Sequence, residues 1–498
     1  MKNNSSRLLL PAILVLAAFL RIYRLGSYDL WFDEVLCVFQ KADLSNILNG
    51  KILDSNPPLY FLILHFFTPF KTSEFTLRIP SAIFGVLTVF AIYKFSKRFF
   101  NEKAALISSF LLAISPFHIY YSQEVKMYSM FILFSLLSLY FLTLAITEGK
   151  ESKNLWWTGF VITNALSLYT HYYAIMLILV EAMIFFFYSI FNGFNKETTN
   201  KWLNSNIIML VIFLPWTPIM FKEHLFKTSG FVTTWIPTPG LETFFYTFKN
   251  FSVGFSSPRW NYLLASLVFG LCFILGIIEL YKRKEFFLIV ASYFFIPPVL
   301  LFLLSQYRPV YLDRYISFTI PIFCVILASG ISRFKIFPIS IFLILISAFS
   351  YFGYINLYET IPYLHQAPGE HVRIPIKPAV QFIEEQFEQG DIIGHSCRST
   401  LLSFEYYSWR KQNFLATKNF EKYPQSSAWN HSSLLPELVP GSVKDAKRIW
   451  LVLSWWDPLP SLDPISQELK TWMDAHYKQV SYKKFEGIDL YLYERLAK

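Results

Sequence analysis

Two adjacent carboxylates, Asp33 and Glu34, sit in the string Trp31-Phe32-Asp33-Glu34, shortly after the first apolar segment of the chain. An acid kept this close to lipid is costly unless it serves a purpose. A carboxylate there can take a proton from a substrate hydroxyl as a general base. It can equally be local structure, because Asp followed by Glu at a helix start meets free N–H groups and the positive end of the helix dipole. Both readings are open on local sequence. A second polar string, Ser115 to Tyr128, carries His118, Gln123, Glu124, Lys126 and Tyr128 between two apolar segments. Lysine there can reach headgroups and the tyrosines can form an interfacial belt. Glu124 has no such structural duty. Asn56-Pro57-Pro58-Leu59-Tyr60 combines a polar amide and a phenol with two prolines that fix an extended approach to a helix. His171, in Thr170-His171-Tyr172-Tyr173, has a plain reading as a satisfied interfacial histidine. Arg314, in Asp313-Arg314-Tyr315, offers a planar guanidinium suited to bidentate phosphate binding. No nucleophile elbow, phosphate loop, HExxH or Cys/His metal spacing occurs in the sequence.

The elements that must hold these residues are membrane helices. Of the 498 residues, 54% are hydrophobic and only 16% are charged, against about 25% charged in an average soluble protein. Apolar segments near 8–23, 78–95, 104–119, 127–147, 156–170, 172–191, 205–221, 261–280, 286–304, 315–331 and 336–355 predict about eleven spans. No small-residue cleavage site precedes Arg21–Asp29, so the first segment reads as a retained anchor. Every second loop is basic: Lys2 and Arg7; Lys94, Lys97, Arg98 and Lys103; Lys150 and Lys153; Lys196 and Lys201; Lys282, Arg283 and Lys284; Arg333 and Lys335. That side is expected to be cytoplasmic. The net charge of +10 lies largely in these loops, so it sets topology and does not imply a nucleic-acid partner. Asp33, Glu124, His171 and Arg314 then all fall on the outer face, with the whole C-terminus.

The apolar segment 57–70 is too short to span and is expected at the interface. Leu241–Phe251, after Trp235-Ile236-Pro237, has aromatics at helical spacing and reads as an amphipathic helix lying on the membrane surface. After about residue 356 charges and prolines return. A helix over 378–389 and strands at 392–393, 449–454 and 489–493 predict an extracytoplasmic α/β domain, so the chain divides at 1–355 and 356–498. The fold class is therefore mainly α, polytopic, with a C-terminal soluble α/β domain. Of the four cysteines, Cys272 and Cys324 lie in apolar segments, and a Cys37–Cys397 bridge is possible only if both face an oxidising compartment.

Taken in order, the strings resemble the GT-C class of membrane glycosyltransferases, in its branch related to the protein O-mannosyltransferases and the lipid A aminoarabinose transferase. Carrying the resemblance are Trp31–Glu34, Pro57-Pro58-Leu59-Tyr60, Leu77-Arg78-Ile79-Pro80-Ser81, Ser122-Gln123-Glu124 with Lys126-Met127-Tyr128, Thr170-His171-Tyr172, Trp235-Ile236-Pro237 and Asp313-Arg314-Tyr315. It covers about residues 8–330. It implies an enzyme of the bacterial plasma membrane that moves a hexose or pentose from a polyprenyl-phosphate donor to a lipid, glycan or protein acceptor. Transfer would be extracytoplasmic and would invert the anomeric carbon. The resemblance maps the catalytic acid to Asp33 with Glu34 beside it, and a second acid to Glu124. Asn56, Tyr60, His118, Gln123, Lys126, Tyr128, His171 and Arg314 become substrate-binding candidates. Relatives often carry Lys or His before the double proline, and Asn56 cannot supply that charge, so Lys126 and Arg314 are expected to serve the donor phosphate. No cofactor is certain; the two acids leave a divalent metal possible. The rival is a lipid-linked sugar transporter or flippase, which would favour mid-span charges and repeated halves; no repeat is visible.

Overall fold

The computed structural model describes residues 4–50, 56–68, 73–148, 154–224, 236–357, 375–408, 413–415, 446–454, 462 and 464–495. Its first half comprises α1 (Asn4–Ile22), α2 (Phe32–Lys41), α3 (Leu44–Leu48), α4 (Leu59–Phe67), α5 (Glu74–Phe99), α6 (Glu102–Ile114), α7 (Pro116–Ser122), α8 (Tyr128–Thr147), α9 (Asn154–Thr170) and α10 (Ala174–Asn192). Then follow α11 (Lys196–Phe213), α12 (Thr217–His224), α13 (Glu242–Val253), α14 (Arg259–Tyr281), α15 (Lys284–Ser305), α16 (Ile320–Ser332) and α17 (Ile336–Asn356). The C-terminal part contributes α18 (Ile376–Gln386), β1 (Ile392–His395), α19 (Arg398–Tyr407), β2 (Asn413–Leu415), β3 (Arg448–Ser454), α20 (Pro464–His476), β4 (Tyr477–Phe485) and β5 (Ile488–Arg495).

Each of the apolar segments read from sequence is helical. By length and composition seven helices among the described residues can cross a membrane, or eight if the bent pair α6–α7 is one span. That pair turns by 62°, because Ser115 caps α7 through the His118 N–H and Pro116 takes its first position, where a missing N–H costs nothing. α8 is central, with 72% of its apolar window buried, while the span Lys196–Lys222, which runs through α11 into α12, and α17 have 22% each and turn most of theirs outward. α14 and α16 cross closely at Gly276 and Gly330, where a Cβ would run into the carbonyls of Ile326 and Cys272. Small residues are what allow membrane helices to approach this far.

Above the bundle a separate apolar cluster joins Leu30, Val35, Leu36, Val38, Tyr60, Phe61, Leu64, Leu77, Val125 and Met127 with Leu402 of α19. It is the platform on which the outer strings rest. α4 is nine residues long, as short as its sequence demands, and packs on α2 and α5. α13 differs from the reading of a surface helix. Its face Thr247, Lys249–Val253 is buried against α7, α14 and α17, because its polar residues have partners inside. Trp235, Lys2, Lys150 and Lys153 lie outside the described residues.

The C-terminal sheet has the order β2-β1-β3-β5-β4, parallel from β2 to β3 and antiparallel thereafter. β1, β3, β5 and α18 fall where the sequence pattern places them. β4 was not expected. Its lysines and exposed pattern are those of an edge strand, which shows water most of its surface. The four cysteines are thiols, with Cys37 buried in α2.

Candidate active site

α2 starts at Phe32 and carries Asp33 and Glu34 in its first turn and Lys41 in its last, the arrangement its dipole favours. So the helix-start reading of the acids is correct as far as it goes. The two carboxylates nevertheless point to different surroundings. Asp33 Oδ2 lies 3.5 Å from Arg314 Nη1 and 4.0 Å from Lys126 Nζ. All three side chains are buried. These separations are long for charge-assisted contacts, whose usual span is about 2.7–2.9 Å.

Glu34 is bound far more tightly. Its Oε1 accepts from Arg78 Nε at 2.8 Å and from the Val125 N–H at 2.8 Å. Its Oε2 accepts from Arg78 Nη2 at 2.7 Å and from the Trp31 N–H at 3.3 Å. The remaining N–H groups of Arg78 reach the carbonyls of Leu25, Tyr28 and Asp29. One guanidinium therefore holds the irregular segment 23–31 and the start of α2 together from the inside.

The Ser115–Tyr128 string divides in the same way. His118 is fully buried and its Nδ1 meets Arg21 Nη2 at 2.6 Å, while Arg21 also donates to the carbonyls of Ala17, Leu112 and Ala113. Gln123 Nε2 donates to the carbonyls of Leu20, Arg21 and Tyr23, closing the end of α1. These two expected binding residues are thus engaged in joining α1 to α7. Lys126 is placed by a relay: Ser81 Oγ donates to the Lys126 carbonyl, and Tyr60 Oη lies 2.7 Å from Ser81 Oγ. Burial holds the Tyr60 phenol well above its ordinary pKa, so it keeps its proton to donate. Glu124 is buried within electrostatic reach of Tyr121 and Arg78. Asn56 is half-buried ahead of α4, on the segment that brings Tyr60 in.

Arg314 is fixed from the other side. Its neighbour Asp313 accepts from Thr247 Oγ1 and Asn250 Nδ2 of α13, both at 2.5 Å. Around the guanidinium stands an aromatic wall. Tyr315 lies under Arg314 and stacks on Tyr173 at 4.3 Å. The His171 ring stacks on Phe131 at 5.3 Å and lies 5.7 Å from Tyr128, while its Nδ1 accepts from the Tyr173 N–H. Asp33, Lys126, Arg314, Tyr128 and His171 are therefore one neighbourhood built from segments far apart in sequence.

The sequence profile described as dolichyl-phosphate-mannose-protein mannosyltransferase matches residues 55–219, the stretch from Asn56 through His171. Over its whole length the fold is similar to the crystal structure of ArnT from Cupriavidus metallidurans, with a TM-score of 0.66, 12% identity and 97% of each chain covered. The fold of this chain is ArnT-like. The same ArnT bound to undecaprenyl phosphate matches with a TM-score of 0.64 at 12% identity, again over 97% of each chain. The oligosaccharyltransferase AglB from Archaeoglobus fulgidus, in complex with an inhibitory peptide and a dolichol-phosphate, matches at 0.57 and 13% identity over 98% of this chain and 74% of its own. In sequence, 163 residues are 25% identical to YkcB of Bacillus subtilis (strain 168), which carries a provisional mannosyltransferase name; they are 30% of this chain and only 22% of that protein's length.

Within this ArnT-like fold the two acids do not converge as a ligand pair: Asp33 faces two cations and Glu34 is saturated by Arg78 and backbone N–H groups. Among the described residues no three His, Cys, Asp or Glu side chains come together to hold a metal ion. The residues as arranged do not fit a divalent cation. Sequence reasoning missed Arg21 and the Asp313 cradle, which only the fold brings to their partners. It also missed Glu181, buried in α10, which accepts from Ser138 Oγ at 2.6 Å and Asn164 Nδ2 at 2.9 Å. A glutamate inside an apolar segment was the available signal.

Proposed function

We propose that this multi-pass membrane protein transfers a hexosyl or pentosyl group from a polyprenyl-phosphate donor to an acceptor hydroxyl, inverting the anomeric carbon on the extracytoplasmic face of a bacterial plasma membrane. The observation that carries the reading is Asp33 flanked, at ion-pair range but loosely, by Arg314 and Lys126. The donor's phosphate takes these two cations. Asp33, relieved of them, accepts the acceptor's proton as the new C–O bond forms. The bond from the anomeric carbon to the phosphate oxygen breaks, and the charge left on the polyprenyl phosphate is stabilised by Arg314 and Lys126. A single displacement inverts configuration. Tyr128, His171 and Tyr315 offer ring faces and polar edges to the sugar. Glu34 and Glu124 support the site; Glu34 acts through Arg78 and positions Asp33. An apolar hollow of about 270 Å³ lined by Leu48, Leu59, Leu62, Trp216 and Ile219 suits an isoprenoid chain. In this reading the C-terminal sheet and its helices lie on the same extracytoplasmic face.

The test is transfer by detergent-purified protein, using radiolabelled undecaprenyl-phosphate hexoses and pentoses with envelope extract as the acceptor source. Label should move from the donor to the acceptor fraction with wild type and not with Asp33→Asn. Equal transfer by the two would remove Asp33 from the role of base.

The Glu181 cluster favours a second reading, a transporter that moves its lipid-linked sugar past a buried acid. Glu181→Gln separates the two. Under the transferase reading in-vitro transfer survives, whereas a transporter loses flux of labelled lipid across proteoliposomes.

A further inference from the structure

Segment 23–31, which leads into the Asp33 helix, has no regular structure. Arg24 is held there at a φ of 54°, a left-handed conformation that arginine rarely adopts. From the inside it is gripped by Arg78 through three carbonyls. On the other side it meets residues more than three hundred positions later in the chain. The Leu30 N–H donates to Tyr407 Oη at 2.6 Å, and that hydroxyl donates on to Glu74 Oε1 at 2.9 Å. Asp29 Oδ2 accepts from the Lys377 N–H at 2.8 Å, and the Lys377 ammonium lies 2.5 Å from Glu74 and 3.5 Å from Asp29. The ammonium also sits over the Tyr407 ring, 5.2 Å from its centroid. Leu402, Tyr406 and Tyr407 complete the apolar cluster beneath α2, and Tyr406 meets Phe39 edge-on.

We propose that Tyr407 and Lys377 are positioning residues for Asp33: they form the outer jaw of a clamp, opposite Arg78, that fixes the segment from which α2 starts. The proposal rests on the transferase reading, since it assigns the C-terminal sheet's helices a part in holding the base. The geometry is specific. Leu30 lies three residues before Asp33, and its backbone donor is satisfied by a side-chain hydroxyl from α19, so losing one oxygen atom loosens the approach to the base without removing any apolar contact. Lys377 is 40% exposed, so its ion pairs form the rim of the contact, where a molecule touching the C-terminal sheet would reach it first. A ligand that shifts α18 or α19 would then act on Asp33 through the clamp.

The experiment compares full-length wild type, Tyr407→Phe, Lys377→Met and a control, Tyr482→Phe on the far edge strand, in detergent. Two readouts are taken: hydrogen exchange of the peptide covering residues 25–34, and transfer kinetics with a labelled undecaprenyl-phosphate sugar. In Tyr407→Phe exchange in that peptide should rise at least tenfold, and kcat should fall roughly tenfold with KM for the donor within twofold. Lys377→Met should show the same pattern at smaller amplitude, and Tyr482→Phe should match wild type. Unchanged exchange in both variants overturns the clamp. Faster exchange with wild-type kcat overturns its link to Asp33. If wild type transfers no lipid-linked sugar, the transferase reading fails, while the exchange result still decides whether the clamp holds the segment.

Discussion

Asp33 and Glu34 are neighbours in one helical turn, yet the two charged groups they belong to are built on opposite plans. Glu34 receives four hydrogen bonds of 2.7–3.3 Å, two of them from one guanidinium, and its partner Arg78 has donors on five acceptors. Asp33 faces its two cations at 3.5 and 4.0 Å. The first group is closed, and nothing can enter without breaking good contacts. The second has neutralised charge across longer contacts, which is what the proposed site needs if an anion is to displace a carboxylate from its cations. Buried charge alone does not separate the two groups; the length of the contact does.

Substitutions that remove one member from each group sharpen this contrast. The largest effect expected is on turnover in Asp33→Asn: a loss of roughly 10³-fold, within the range for a general base, with the protein still folded and inserted. Turnover and thermal unfolding in detergent, measured on the same preparation, test it. Arg78→Met should invert the pattern. It leaves Glu34 buried without its cation, which costs about 3 kcal/mol of stability, so yield and unfolding temperature fall before any kinetic effect is interpretable. A stable, slow Arg78→Met and an unstable Asp33→Asn would reverse the assignment of the two groups.

Next come the cations of the open group. Lys126→Gln and Arg314→Gln should each lower kcat/KM for the donor roughly 10²-fold, because charge on the phosphate grows as its bond to the sugar breaks, while the acceptor's apparent affinity changes little. A loss confined to the acceptor would move both residues to the other half of the site. Arg314→Lys should restore only part of the rate, since an ammonium cannot reproduce the planar fork.

Much of this was legible in sequence, for identifiable reasons. Apolar runs and loop charges follow from the bilayer itself, so the helical segments were readable, and Asp33, Lys126 and Arg314 do meet. His118 and Gln123 share the Lys126 string, but their partners are Arg21 and the last carbonyls of α1, a hundred residues earlier. No local pattern shows such a pairing. Arg78 was visible within Leu77–Ser81, but its attachment to Glu34 depends on how α5 meets α2. α13 was readable as amphipathic; that Thr247 and Asn250 would turn inward to Asp313 was not, because the hydrophobic pattern of a helix buried on a polar site matches that of one lying on lipid. β4 carries Lys478, Lys483 and Lys484 on an edge, where charge protects against pairing and also hides the strand.

The smallest expected effect concerns a third kind of buried charge, at the other end of α2. Lys41 is buried and its ammonium donates to the carbonyl and hydroxyl of Thr68, neutral groups on the C-terminal side of α4. Burial lowers its pKa from 10.5 to about 8. The folded chain therefore releases this proton before the unfolded chain does. Between pH 8 and 10.5 the unfolded state binds more protons, so stability rises with pH through that window. Below it the protein bears the whole cost of burying the charge. Lys41→Met lacks this term, so the gap in unfolding temperature, wild type minus variant, should widen in favour of wild type as pH goes from about 7.5 to about 9.5. A gap that stays constant or narrows would mean that Lys41 has enough anionic compensation to belong with Arg78. A widening gap, with turnover of Lys41→Met close to wild type at each pH, sets it apart from both acids: charge buried neither for the fold's benefit nor for a substrate.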